Sequence, residues 1–206
     1  MENLQRELEK IIEQNKKAGI RPTLLLHACC APCSSYCIEY LHEHFEITLF
    51  FYNPNIFPEE EYSHRVSELK RLVSEMELDI PVLEAENDTD SFYSLAKGRE
   101  KLREGGERCF DCYRLRLEKT AALAKERDFD FFTTTLSISP LKNAAKLREI
   151  GLELQEKFNV KNLPSDFKKK EGYKRSIELS KKHSLYRQNY CGCIYSKRDT
   201  SPENKA

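Results

Sequence analysis

Apolar positions along the chain alternate between two periods, and the alternation lays out the elements. Short apolar runs at residues 23–28 ("TLLLHA"), 47–52 ("ITLFFY"), 80–85 ("IPVLEA") and 129–136 ("FDFFTTTL") read as buried strands. Residues 158–164 ("FNVKNLP") form a shorter run of the same kind. Between the runs the helical period returns. A helix is predicted from about 34 to 44, another around 59–77 with Tyr62, Val66, Leu69, Val73 and Met76 on one face, and a third near 90–97. Further helices are predicted from about 109 to 127 and after Pro140, where Leu141, Ala145, Leu147 and Ile150 recur. Residues 1–20 carry Leu4, Leu8, Ile11 and Ile12 among charges, a surface helix without the apolar stretch of a signal peptide. Alternating strands and helices predict an α/β protein with an open parallel sheet and helices on both faces. No linker or internal repeat interrupts the pattern, so residues 1–206 are expected to form one domain, ending in a flexible tail at 199–206.

The composition supports this and adds a compartment. Of 206 residues, 39% are hydrophobic and 33% charged, and no apolar run approaches the roughly 20 residues of a membrane span. The expectation is a cytoplasmic protein with no membrane partner. Cytosolic thiols are kept reduced, so the eight cysteines point to metal or redox chemistry, with disulfides an alternative known from hyperthermophiles. The net charge of zero conceals a division: residues 161–206 carry +7 and residues 1–160 carry −7. In the basic segment 161–198, Lys168, Lys169, Lys170, Lys174, Arg175 and Arg187 alternate with Tyr173, Tyr186 and Tyr190. That interleaving suits a phosphate backbone and stacked bases, and these six cations are the candidate substrate-binding residues. A solvated helix face is the alternative.

The first strand runs into "CCAPC" at 29–33, where a nucleotide-binding sheet of this type would carry a glycine-rich phosphate loop. A helix N-terminus behind the motif favours thiolates. Two further groups follow, Cys109 with Cys112 and Cys191 with Cys193. Their wide separation does not match the compact pairing of many structural zinc sites, although zinc remains open alongside redox metal. If the three groups converge, they offer more than four thiolates. A [4Fe–4S] cluster takes four ligands, leaving sulfurs for a second metal or for the substrate. Cys33 is ambiguous, Cys37 is expected to be a small buried residue, and His27 a satisfied polar one.

The stretches "LLLHACCAPCSSYC", "FFYNPNIFPEEEYSHR", "ERCFDCYRLRL", "FTTTLSISPLKN" and "DFKKKEGYKRSIELSKKHSLYRQNYCGC" together resemble the cobalamin-independent epoxyqueuosine reductase family QueH, from about residue 22 to 195. The resemblance implies a Rossmann-like sheet of the HUP type, related to tRNA-thiolating ATP pyrophosphatases but without their "SGGxDS" loop. It implies an iron–sulfur oxidoreductase that removes the epoxide oxygen of epoxyqueuosine in tRNA, the last step of queuosine synthesis. On this reading Cys29, Cys30, Cys109, Cys112, Cys191 and Cys193 are assigned to a [4Fe–4S] cluster and a second, mononuclear iron. Asp111 is the candidate oxygen ligand or proton donor, with a helix-terminal carboxylate as the alternative. The "NPNIFP" loop with Glu61, Tyr62 and Arg65 is a candidate nucleoside pocket. The partners are tRNA and an electron donor of unknown identity. Rival readings are a tRNA sulfur-transfer enzyme and a zinc-stabilised RNA-binding protein without catalysis.

Overall fold

The period-two alternation of the apolar runs sends successive side chains to opposite faces of one sheet. In the computed structural model, which describes residues 3–199, five parallel strands lie in the order β3-β2-β1-β4-β5. They are β1 (Thr23–His27), β2 (Glu46–Phe51), β3 (Val82–Glu84), β4 (Phe131–Thr134) and β5 (Lys161–Asn162). Leu25 of β1 stands between Thr48 of β2 and Phe132 of β4. Leu24, Leu26, Leu49, Phe51 and Phe131 face one core, closed by α1 (Leu4–Ala18), α2 (Ala31–Leu41) and α3 (Glu59–Glu75). Leu25, Phe50 and Phe132 face the other, closed by α5 (Glu107–Glu126) and α6 (Ala144–Phe158). The expected α/β architecture with helices on both faces is therefore present, and α4 (Thr89–Ala96), α7 (Gly172–Lys182) and α8 (Ile194–Asp199) complete it.

Element ends depart from the periodic reading for local reasons. Strand β4 stops at Thr134 because the Thr134 hydroxyl accepts the Leu136 N–H at 3.1 Å and turns the chain into a 3-10 helix, Thr135–Ile138. Helix α2 starts at Ala31, three residues before the predicted start, with Pro32 in its first turn where the missing N–H costs nothing. Residues 200–206 of the expected tail lie outside the described residues.

Helix α7, which carries part of the basic segment, lies against α2 through Gly172. A Cβ there would run into the Phe167 carbonyl oxygen and the Tyr36 ring, neither of which can yield without moving backbone or core. Gly172→Ala is expected to destabilise the fold by about 1–3 kcal/mol, as an overpacked contact does. A lowered urea midpoint with unchanged m-value checks this, and an unchanged midpoint contradicts it.

Candidate metal centre

The strand order reverses between β1 and β4: the chain leaves β1 toward β2 and β3, and returns on its other side as β4. Connections diverging from two adjacent parallel strands leave a crevice at their carboxyl ends. The two ends are joined there, the Cys29 N–H donating to Thr135 Oγ1 at 3.4 Å. Cys29, Cys30 and Cys33 surround the N-terminus of α2 with all three sulfurs within 4.8 Å of one another, Cys29 and Cys30 being 3.7 Å apart. Four thiolates around one tetrahedral ion at about 2.3 Å lie about 3.8 Å from each other, so Cys29 and Cys30 have the spacing of ligands to a single metal and Cys33 is near enough to be a third. Cys33, ambiguous in the sequence, is one of its members. The thiols of Cys29 and Cys33 hydrogen-bond to Cys30 and hold it well below the usual thiol range against the effect of burial, with the Arg65 charge adding to this.

A second set converges from two directions. Cys109 and Cys112 sit one turn apart on α5, with Arg116 on the same face at the next turn. Cys191 and Cys193 are carried by a loop held in place from α3 and the segment before it. Arg65 donates to the carbonyls of Cys191 (3.1 Å) and Tyr190 (3.4 Å), and the Phe57 N–H donates to the Gly192 carbonyl (2.9 Å). Gly192 has φ of +119°, and a Cβ there would stand 3.0 Å from both Arg65 Nη1 and Ile56 Cγ1. Cys109, Cys112, Cys191 and Cys193 together line one gap, which is narrow, about 10 Å³. No trio among them is as tight as Cys29, Cys30 and Cys33. Three residues lining the gap carry buried polar atoms without partners: Asn55 Oδ1, Arg108 Nη2 and the Tyr113 hydroxyl. Two of these, Arg108 and Tyr113, are hydrogen-bond donors suited to sulfur acceptors.

Beside these groups opens a cavity of about 360 Å³, within the usual range for small-molecule sites. Cys29, Cys33 and Cys191 form part of its wall, with Arg65, Arg116, Lys142, Tyr173, Arg187 and Tyr190. Arg116, Lys142, Glu104 and Cys191 line both the cavity and the gap. Burial disfavours the charge on Arg116, but the thiols of Cys112, Cys191 and Cys29 outweigh it and raise its pKa. Lys142, also buried, is raised by Cys191 and by Glu104, whose carboxylate lies 2.7 Å from its Nζ.

Other predicted residues lie elsewhere. Asp111 lines neither space; it is 36% exposed and paired with Arg99. Lys168 is paired with Asp166, Lys170 with Glu9, Lys174 with Glu171, and Arg175 with Glu39 and Glu178. Lys169 is exposed outside the cavity, and of the six predicted cations only Arg187 lines it. Of the "NPNIFP" group, Arg65 reaches the cavity and Asn55 the gap, whereas Tyr62 belongs to the core. Cys37 is fully buried, as expected. His27, also buried, is satisfied on both nitrogens, by Thr134 Oγ1 (2.9 Å) and the Tyr52 carbonyl (3.0 Å).

Residues 24–199 match the family model described as "Epoxyqueuosine reductase QueH". The chain is 40% identical to the epoxyqueuosine reductase QueH of Streptococcus pyogenes serotype M1, covering 94% of this chain and 78% of that protein. It is 42% identical to that of Staphylococcus epidermidis (94% and 84%) and 37% identical to that of Thermotoga maritima (84% and 90%). The chain belongs to the epoxyqueuosine reductase QueH family. Among solved structures it resembles the U34-tRNA thiolase NcsA from Methanococcus maripaludis with its [4Fe-4S] cluster, at a TM-score of 0.53 and 12% identity, covering 94% of this chain and 68% of that one. At that identity the likeness is one of fold. The QueH match takes in all eight cysteines, and also Arg65, Arg116 and Lys142, which composition alone does not single out. Arg116 could have been read from its spacing, three and then four residues separating Cys109, Cys112 and Arg116.

Arg65 is the tie between α3 and the Cys191–Cys193 loop. Arg65→Lys keeps the charge but not the fork of donors. Hydrogen bonds from charged groups contribute about 1.5–3 kcal/mol each, so local opening of residues 190–193 should become at least about tenfold more frequent. Amide hydrogen exchange of that segment is the measurement; exchange unchanged from the parent protein would remove Arg65 from this role.

Proposed function

We propose that this chain removes the epoxide oxygen of epoxyqueuosine in tRNA at the 360 Å³ cavity, with Cys109, Cys112, Cys191 and Cys193 holding a [4Fe–4S] cluster and Cys29, Cys30 and Cys33 a single iron. The observation that carries this reading is the division of seven thiols into a tight trio and a wider quartet, both reaching the crevice at the strand reversal. Four cysteines match the ligand count of a cubane cluster, and the unpartnered donors of Arg108 and Tyr113 suit its sulfur atoms. A trio of thiols leaves one position of a tetrahedral ion open. When bound, a cluster supplies electrons one at a time and an open iron site polarises an oxygen. The narrowness of the gap means that cluster assembly must spread its walls.

The protein's own residues bind, orient and protonate. Tyr173 and Tyr190 are the aromatic rings at the wall of the cavity, Tyr190 with Arg65 over its ring at 5.3 Å, and Arg187 is a cation there for a phosphate. Lys142 Nζ, kept charged and oriented by Glu104, presents a proton at the wall shared by cavity and gap. The overall change consumes two electrons and two protons and releases water, so an external reductant is required. Action on tRNA supports the cytoplasm as the compartment. Among the described residues no helix is long and apolar enough to cross a membrane.

Serine replaces cysteine in size but is a poor ligand for iron. In anaerobically prepared protein, Cys109→Ser, Cys112→Ser, Cys191→Ser and Cys193→Ser should lose acid-labile sulfide and the broad charge-transfer absorption. Cys29→Ser, Cys30→Ser and Cys33→Ser should keep both while losing one iron and turnover. Sulfide lost from the trio variants would overturn the allocation. Stoichiometric zinc without sulfide in the parent protein would overturn the redox reading.

The tRNA contact is tested separately. Arg187→Glu should weaken tRNA affinity and reduce the slope of its salt dependence by about one, the effect of one lost phosphate contact. Lys170→Glu should do less, since Lys170 already faces Glu9. Equal effects from the two would place the phosphate path along the helix instead of at the cavity.

A further inference from the structure

Two electrons must enter from outside, and the structure has a thin wall through which they can reach the quartet. Phe92 lines the gap and packs with Cys112 and Cys193. Its other neighbours are Tyr93 and Tyr195, with ring centroids 5.8 and 6.1 Å away, and Tyr93 is 38% exposed. Beside them Arg108, another wall of the gap, donates to the carbonyls of Arg99, Glu100 and Leu102 and lies 4.6 Å from the centroid of the Tyr195 ring. One layer of side chains therefore separates the quartet from a surface made by α4, residues 97–103 and the start of α8.

That surface has a definite character. Residues 97–103 are all exposed and carry four cations, Lys97, Arg99, Lys101 and Arg103, against one carboxylate. Arg99 is engaged by Asp111. The same elements expose three apolar groups, Tyr93 on α4, Leu102 within the segment and Ile194 at the start of α8, and one further carboxylate, Asp90 on α4. Exposed apolar groups on elements that also carry charge suit a transient protein contact, and the sign of the prevailing charge selects the partner. None of the residues named in this face lines the substrate cavity.

We propose that this face docks the electron donor, and that the donor is a small acidic one-electron carrier protein. The inference rests on the assignment of the cluster to the quartet. Two molecules of the reduced carrier each give up one electron; both C–O bonds of the epoxide break, a carbon–carbon double bond forms, and the oxygen leaves as water with two protons. The oxidised carriers depart.

The test uses the holoenzyme, a bacterial ferredoxin rich in surface carboxylates, and a triple variant, Lys97→Glu with Lys101→Glu and Arg103→Glu. Ferredoxin binding and the KM for reduced ferredoxin should each weaken by about tenfold or more, and both should lose their salt dependence. Turnover driven by reduced methyl viologen and affinity for tRNA should stay within about twofold of the parent. Unchanged ferredoxin affinity overturns the proposal, as does a loss of tRNA affinity without a loss of ferredoxin affinity, which would make the patch an RNA surface. Absence of viologen-driven turnover in the parent protein would instead sink the functional reading beneath it.

Discussion

Thiolates can be buried together only if cations are buried with them, and this constraint organises the carboxyl edge of the sheet. An ion taken out of water costs several kcal/mol even after relaxation, and like charges brought together cost more. Arg65, Arg108 and Arg116 are at most 2% exposed and Lys142 7%. Each is also tied to backbone or to a carboxylate: Arg65 to the Tyr190 and Cys191 carbonyls, Arg108 to the loop at 99–102, Arg116 to the Cys112 carbonyl at 3.1 Å, Lys142 to Glu104. The same cations that stand ready to offset the charge of metal-bound sulfurs therefore also fold the loops that carry them. Removing an arginine would leave unpaired carbonyls, and removing Lys142 an unpaired Glu104 carboxylate, while also taking a cation from beside the metal-binding thiols, so the loops and the metal-binding potential are expected to fail together.

Strand order decides where this occurs. The reversal between β1 and β4 brings the segment after one strand against the segment after the other, and Thr135 bonds Cys29 across the junction. Directly beneath, His27 bridges Thr134 and the Tyr52 carbonyl. A carbonyl can only accept, so Nε2 carries the proton and Nδ1 accepts from Thr134. Burial first, then the Arg116 charge, pushes its pKa down to about 4 and keeps it neutral. His27 is thus a strut under the thiol trio.

The sheet and most helices were legible because burial imposes a period, and the period survives in the sequence of Leu24 to Leu26 or of Tyr62 to Val73. Ends were less legible because they depend on single bonds, such as the Thr134 hydroxyl that stops β4. Within the site, the thiol pairs announce themselves, but whether Cys33 belongs with Cys29 depends on the direction in which α2 leaves the strand, which spacing alone does not fix. The electrostatic surroundings of the basic segment were the least legible, for a similar reason. Arg175 finds Glu39 across 136 positions and Lys170 finds Glu9 on the first helix, partners that no local count of charge could reveal.

Those distant pairs change what the uneven charge means. Two cations of the +7 segment pair with the acidic remainder of the chain, Arg175 with Glu39 on α2 and Lys170 with Glu9 on α1, and so fasten α7 and the turn before it. Exposed ion pairs of this kind contribute little stability each, roughly 0–1 kcal/mol, yet their register is specific. They bring Tyr173 and Arg187 to the cavity wall while the loop that follows delivers Tyr190 and Cys191. The basic segment thus also supplies part of the cavity wall. Of the six cations expected to meet phosphate, Arg187 alone stands at that wall, so on the proposed reading it is the one placed to meet a nucleotide turned inward.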